Sequence, residues 1–139
     1  TIYKSPQSYE ELDTLYKEWF TLYKHQRKMV YIIDLSRITS CEMKYITSLV
    51  DFSREMKKHT AWVSCTLFYF KSDILKNLFQ LAIQIEYPIR PIIITKEQSV
   101  IQDVLQKQLY FTNVKDYTIY KPKDYSFDDV LRILSECIH

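Results

Sequence analysis

Residues 29–36 read MVYIIDLS, and the reading of this stretch decides the fold. Met29, Val30, Tyr31, Ile32 and Ile33 are apolar without interruption, and Val30, Ile32 and Ile33 are β-branched. A half-exposed strand would alternate apolar with polar, and an amphipathic helix would place polar residues between its apolar turns. A short continuous run closed by Asp34-Leu35-Ser36 suits a strand covered on both faces, as the strands of parallel sheets are.

Working outward, helical spacing appears on either side. Ser8 and Glu11 form a capping-box pattern, and Leu12, Leu15, Tyr16, Trp19, Leu22 and Tyr23 follow at helical intervals, predicting a helix over 9–24. Thr39 and Glu42 form a second such pattern, and Ile46, Leu49, Val50 and Met56 give the next helix its inner stripe, to about residue 58. Its last turn carries Lys57 and Lys58, with His59 after them, which favours the negative end of the helix dipole.

The alternation continues toward the C-terminus. Residues 62–70, WVSCTLFYF, predict a second buried strand. Ser72 then caps a short helix holding Ile74, Leu75, Leu78, Phe79, Leu81, Ala82 and Ile85. That helix is apolar around much of its circumference, so it is either deeply buried or offered to a partner. Pro88 and Pro91 lead into a third strand, Ile92-Ile93-Ile94, and Thr95 with Gln98 makes a third capping-box pattern. Val100, Ile101, Val104, Leu105 and Leu109 mark the following helix. Residues 110–125 are polar and aromatic, with a short extended piece over 117–120, and Ser126 caps a last helix that turns Phe127, Val130, Leu131, Leu134 and Ile138 inward. The order predicts one α/β domain over 1–139, a mostly parallel sheet of about four strands joined by right-handed crossovers and flanked by helices.

The composition excludes several chemistries. The 139 residues contain no glycine, where average usage of roughly 7% would supply about ten. A P-loop, a dinucleotide fingerprint, a nucleophile elbow and a kinase glycine loop all need glycine at fixed offsets. Lysines and arginines number 19 against 17 acids, and the net charge of +2 does not by itself call for nucleic acid or membrane. Cys41, Cys65 and Cys137 have no C-x-x-C spacing, which suits reduced thiols in the cytoplasm rather than a disulfide framework or zinc site. No run of apolar residues reaches membrane-spanning length, and no signal peptide is visible. The chain begins at Thr1 with no methionine, as a piece of a longer protein or a trimmed chain would.

Residues 30–46, VYIIDLSRITSCEMKYI, resemble the signature of STAS domains, the fold of anti-sigma-factor antagonists and of the cytoplasmic tails of anion transporters. Those domains carry an apolar strand ending in D-L-S, matched by Asp34, Leu35 and Ser36, and then D-S-S/T-G at the start of a helix. Thr39, Ser40, Cys41 and Glu42 fall at that second position, so Thr39 replaces the acidic residue and Glu42 the glycine. The order of elements over about 8–138 also follows the family. The resemblance implies an edge strand before the first helix, for which Ile2 and Tyr3 are available, and a phosphorylatable serine at Ser40. Glu42 would repel a phosphate there, and helix capping by Thr39 and Ser40 is the competing reading.

Asp34 closes a central strand, at the edge where α/β sheets bind ligands, but an aspartate there also orders the following turn. Cys41 lies in a first helical turn, where a thiol pKa falls. His59 sits at the other end of the same helix, about 27 Å away at 1.5 Å per residue, too far to activate Cys41 or Ser40. His25, His59 and His139 are too scattered to bind a metal, and no cofactor is expected. Lys115, Lys121 and Lys123 interleave with Tyr117, Tyr120 and Tyr125, a combination that can hold single-stranded nucleic acid, although Asp116 and Asp124 dilute the charge. The sequence thus points to a non-enzymatic regulatory or scaffolding module that binds another protein or a second copy of itself. The expected surface is Asp34, Arg37, Thr39, Ser40, Glu42 and Lys44, with the helix at residues 74–85 as a second surface. Nucleic-acid binding through 115–125 is the alternative.

Overall fold

A computed structural model describes residues 2–23, 29–39, 42–58, 63–106 and 116–136. In chain order the elements are β1 (Ile2–Lys4), α1 (Tyr9–Tyr23), β2 (Met29–Asp34), α2 (Met43–Lys57), β3 (Val63–Tyr69), α3 (Asp73–Ile85), β4 (Ile92–Thr95), α4 (Gln98–Leu105), β5 (Tyr117–Tyr120) and α5 (Phe127–Glu136). The strands form one sheet in the order β1-β2-β3-β4-β5. The first four run parallel, and β5 returns antiparallel to β4. The protein is therefore α/β with a mostly parallel sheet. It has five strands where the sequence predicts about four, because the short pieces at either end of the chain both pair.

Every residue of β2 is buried, as its continuous apolar run requires. Its side chains divide between two cores. Tyr31 and Ile33 join Phe68, Phe70, Ile92 and Ile94 beneath α1, α2 and α3. Val30 and Ile32 join Cys65, Leu67 and Ile93 beneath α4 and α5. Parallel strands laid down in one direction with right-handed crossovers put every crossover helix on the same face, as observed for α1, α2 and α3.

The helix starts divide into two kinds. At α1, α3 and α5 a serine hydroxyl accepts from the helix as predicted: Ser8 from the Glu11 amide, Ser72 from Leu75 and Ser126 from Asp129. The Thr39–Glu42 and Thr95–Gln98 patterns do not form capping boxes. Glu42, in extended conformation, precedes α2 with no side-chain cap bond. The Thr95 hydroxyl accepts from the Glu97 amide and donates to the Asp116 carbonyl, tying β4 to the entrance of β5.

The apolar helix α3 is two-sided. Leu75, Phe79, Ala82 and Ile83 are buried, and Phe79 meets Phe68 and Phe70 edge-on at 5.3 and 5.1 Å. Ile74, Leu81 and Ile85 are 63%, 46% and 54% exposed. Phe127, predicted inward, is 48% exposed, because α5 turns Val130 and Leu134 to the sheet. Trp62, Leu109 and Ile138 lie outside the described residues.

Candidate functional site

The parallel strands all end at one edge of the sheet, and the chain leaving β2 builds a turn there. The backbone N–H of Leu35 extends the ladder by donating to the Tyr69 carbonyl at 2.7 Å, and that of Ile38 closes on the Leu35 carbonyl at 3.2 Å. Leu35 and Ile38 are buried, which pins both ends of the turn into the core. Ser36 and Arg37 form its tip, and Arg37 and Thr39 are exposed.

Asp34 holds this turn from below. Its Oδ1 accepts from the Ser36 amide at 2.9 Å, so the side chain makes a turn of its own with the backbone ahead. Its Oδ2 accepts from the Tyr3 hydroxyl at 2.5 Å. The pairing of Tyr3 with Ile32 sets Tyr3 on the same side of the sheet as Asp34, two residues further on. The Tyr3 phenol is pushed up to about 12, first by burial, then by its bond to Asp34 and by the neighbouring charges of Asp34 and Tyr69.

The β1–α1 connection supplies the neighbouring surface. Arg37 Nη1 donates to the Ser5 carbonyl at 3.4 Å. Lys44 sits 4.4 Å over the Tyr9 ring and pairs with Glu42 at 3.0 Å. The Glu42 carboxylate raises the Lys44 pKa. Arg37, Glu42 and Lys44 thus line up with Ser5 and Tyr9 at one end of the molecule. Ser40 and Cys41 lie outside the described residues, as do His25, His59, His139 and Lys115. Tyr3, Ser5 and Tyr9 escaped sequence reasoning as members of this surface. Only the register of β1 against β2 brings them to it.

At the opposite end of the sheet, a groove of about 530 Å³ opens between the segment before β4 and the one after β5. Tyr87, Arg90, Lys123 and Tyr125 line it. Arg90 donates to the Tyr125 hydroxyl at 2.5 Å, and the Lys121 ammonium to the Tyr125 carbonyl at 2.5 Å. Two cations of this region are thereby committed to internal bonds.

No family model matches the chain, and comparison with curated proteins and with solved structures gives no match. No helix among the described residues is long and apolar enough to cross a membrane. Also among the described residues, no three His, Cys, Asp or Glu side chains are grouped to hold a metal ion.

Proposed function

We propose that this chain is a non-enzymatic regulatory or scaffolding module of the STAS type, working in the cytoplasm by binding another protein. Its contact surface is the turn after β2 and the start of α2: Arg37, Thr39, Ser40, Glu42 and Lys44, with Asp34 as their support. The observation that carries this reading is the occupancy of Asp34. Both carboxylate oxygens accept bonds that shape the turn, one from Ser36 and one from Tyr3. A carboxylate used this way props a surface, each of its oxygens fixing one side of the turn. The polar rim above it, with buried Leu35 and Ile38 beneath, has the make-up of a recognition surface. The exposed seam of α3 offers a second surface, to the same partner or to a second copy of the chain.

Affinity capture from the source cells tests this, using the wild-type chain beside Arg37→Glu and Leu81→Glu. A specific partner lost with Arg37→Glu and kept with Leu81→Glu supports the turn. The same partner retained by both variants, or turnover of a small substrate by the purified chain, overturns the reading.

The alternative, nucleic-acid binding through 115–125, gains one observation. Arg90 and Tyr87 join Lys123 and Tyr125 around the groove at the far end of the sheet. A salt-dependent affinity for single strands, weakened by Lys123→Ala, would favour it.

A further inference from the structure

Helix α3 carries a row of apolar side chains that stays open among the described residues. Ile74, Leu78, Leu81 and Ile85 follow one another at spacings of four, three and four residues, the spacing of a coiled-coil seam. Ile74, Leu81 and Ile85 are exposed, and Leu78 is only partly buried. At about 100° per residue the row lies roughly a third of a turn around the helix from Leu75, Phe79, Ala82 and Ile83, which are buried. Just past the helix, exposed Tyr87 extends the patch, its hydroxyl donating to the Lys121 carbonyl at 2.8 Å.

The place of α3 in the fold gives this row its room. Helices α1, α2 and α3 cover one face of the sheet, and α4 and α5 cover the other. α2 packs beside α3, which is the last helix of its layer. Apolar side chains of this size, set in one exposed row, mark a contact surface.

The pattern of the row indicates what covers it. It reads the same from either end: Ile, Leu, Leu, Ile at spacings of four, three and four. A second α3 laid antiparallel across a two-fold axis sets Ile74 against Ile85 of the other copy, and Leu78 against Leu81. Such a contact is isologous, one patch meeting itself. On the outward flank of the row stand Asn77 and Gln84, both exposed and uncharged. A two-fold brings that flank near its own copy, where like charges would repel and amides do not. The antiparallel setting also puts the positive end of each helix dipole beside the negative end of the other.

We propose that α3 is a dimerisation element: two copies of this chain pair through Ile74, Leu78, Leu81 and Ile85 in antiparallel register. The proposal deepens the second surface named above by committing it to a second copy, and it takes nothing from the turn after β2. A seam on a 13-residue helix, about 20 Å long, covers less than the roughly 800 Å² per partner of a standard interface, so a dissociation constant on the order of micromolar is expected.

Sedimentation velocity of the reduced wild-type chain, from about 1 to about 300 µM, should show a monomer–dimer equilibrium. Ile74→Lys and Ile85→Glu each set a charge against an isoleucine at both ends of the dimer, and each alone should weaken it at least about tenfold. An equimolar mixture of the two variants should recover to within about threefold of the wild type. Only antiparallel pairing puts the introduced lysine against the introduced glutamate while leaving the other end as in the wild type. Both positions are exposed, so thermal melts of the dilute variants should match that of the wild type. A wild-type chain that stays monomeric throughout overturns the proposal and leaves the seam to another occupant. So does a dimer that both substitutions leave intact, which places the contact elsewhere, or a mixture no stronger than its components, which rejects the antiparallel register. None of these results bears on Arg37 or the turn after β2.

Discussion

The Tyr3 hydroxyl donates to the Asp34 carboxylate across 31 residues of chain, fastening the edge strand to the turn that follows its neighbour. Tyr3→Phe leaves one part-buried carboxylate oxygen without its donor. The expected loss is about 1–2 kcal/mol of unfolding free energy, read by urea denaturation. Asp34→Ala removes the Ser36 bond as well and should cost more, with faster amide exchange at Ser36.

Burial of Tyr3, together with this bond, sets a pH window. In the folded chain the Tyr3 phenol is held at about 12 against its ordinary 10.0. The folded state binds that proton more tightly, so the stabilisation is complete below about pH 10 and is lost as pH rises through about 12. Tyr31, raised by burial to about 12, adds to the same window. Denaturant melts across this range should show falling stability, with a shallower slope in Tyr3→Phe and shallower still in Tyr3→Phe/Tyr31→Phe.

Helix capping separates Ser126 from Glu42. The Ser126 hydroxyl accepts from the Asp129 amide at 3.1 Å, and the Ser126 amide donates to Asp129 Oδ2 at 2.7 Å, a reciprocal pair. Ser126→Ala should cost about 1 kcal/mol. Glu42→Ala removes no cap bond and should stay within about 0.5 kcal/mol. The Ser126 amide and hydroxyl also hold Asp129 below its ordinary 3.8. That contribution is present above about pH 4 and is lost as the pH falls through the lowered value, so Ser126→Ala should lose less stability on acidification than the wild type.

Two residues of α3 should behave oppositely. Phe79 is fully buried between Phe68 and Phe70, and Phe79→Ala is expected to cost about 3–5 kcal/mol through lost burial and a residual cavity. Ile85, more than half exposed, lies on the other side, and Ile85→Ser should change stability by less than about 0.5 kcal/mol. Thermal melts of both variants check this.

Tyr31, like Tyr16, buries a hydroxyl with no partner among the described residues. Removing an unsatisfied polar group is neutral or favourable, so Tyr31→Phe should hold or raise stability by up to about 1 kcal/mol near neutral pH. A drop of that size would instead reveal a partner for the hydroxyl.

The parts of this fold that were legible in the sequence are those where local pattern and tertiary demand coincide. Residues 29–34 read as a doubly covered strand because both faces are buried, and Ser8, Ser72 and Ser126 read as caps because each hydroxyl accepts from the amide three residues ahead, the spacing that the local pattern encodes. Thr95 carries the same cap pattern, but its hydroxyl is spent on Asp116, a partner 21 residues away that local spacing cannot reveal. The three residues of β1 are too few to show a period, and they hold their place only through β2. The antiparallel sense of β5 is likewise a matter of pairing with β4 rather than of composition. At the turn, Asp34 and Arg37 stood out as polar residues after an apolar strand, while their partners Tyr3 and Ser5 did not, since strand register alone delivers them.

Because β1 is a three-residue outer strand, it is the piece of the sheet that detaches at least cost. Its departure would break the Tyr3–Asp34 bond and withdraw the Ser5 carbonyl from Arg37 in one event. Whatever grips or displaces the first few residues would therefore also loosen the shape of the turn, and amide exchange at Tyr3 and at Ser36 should rise and fall together.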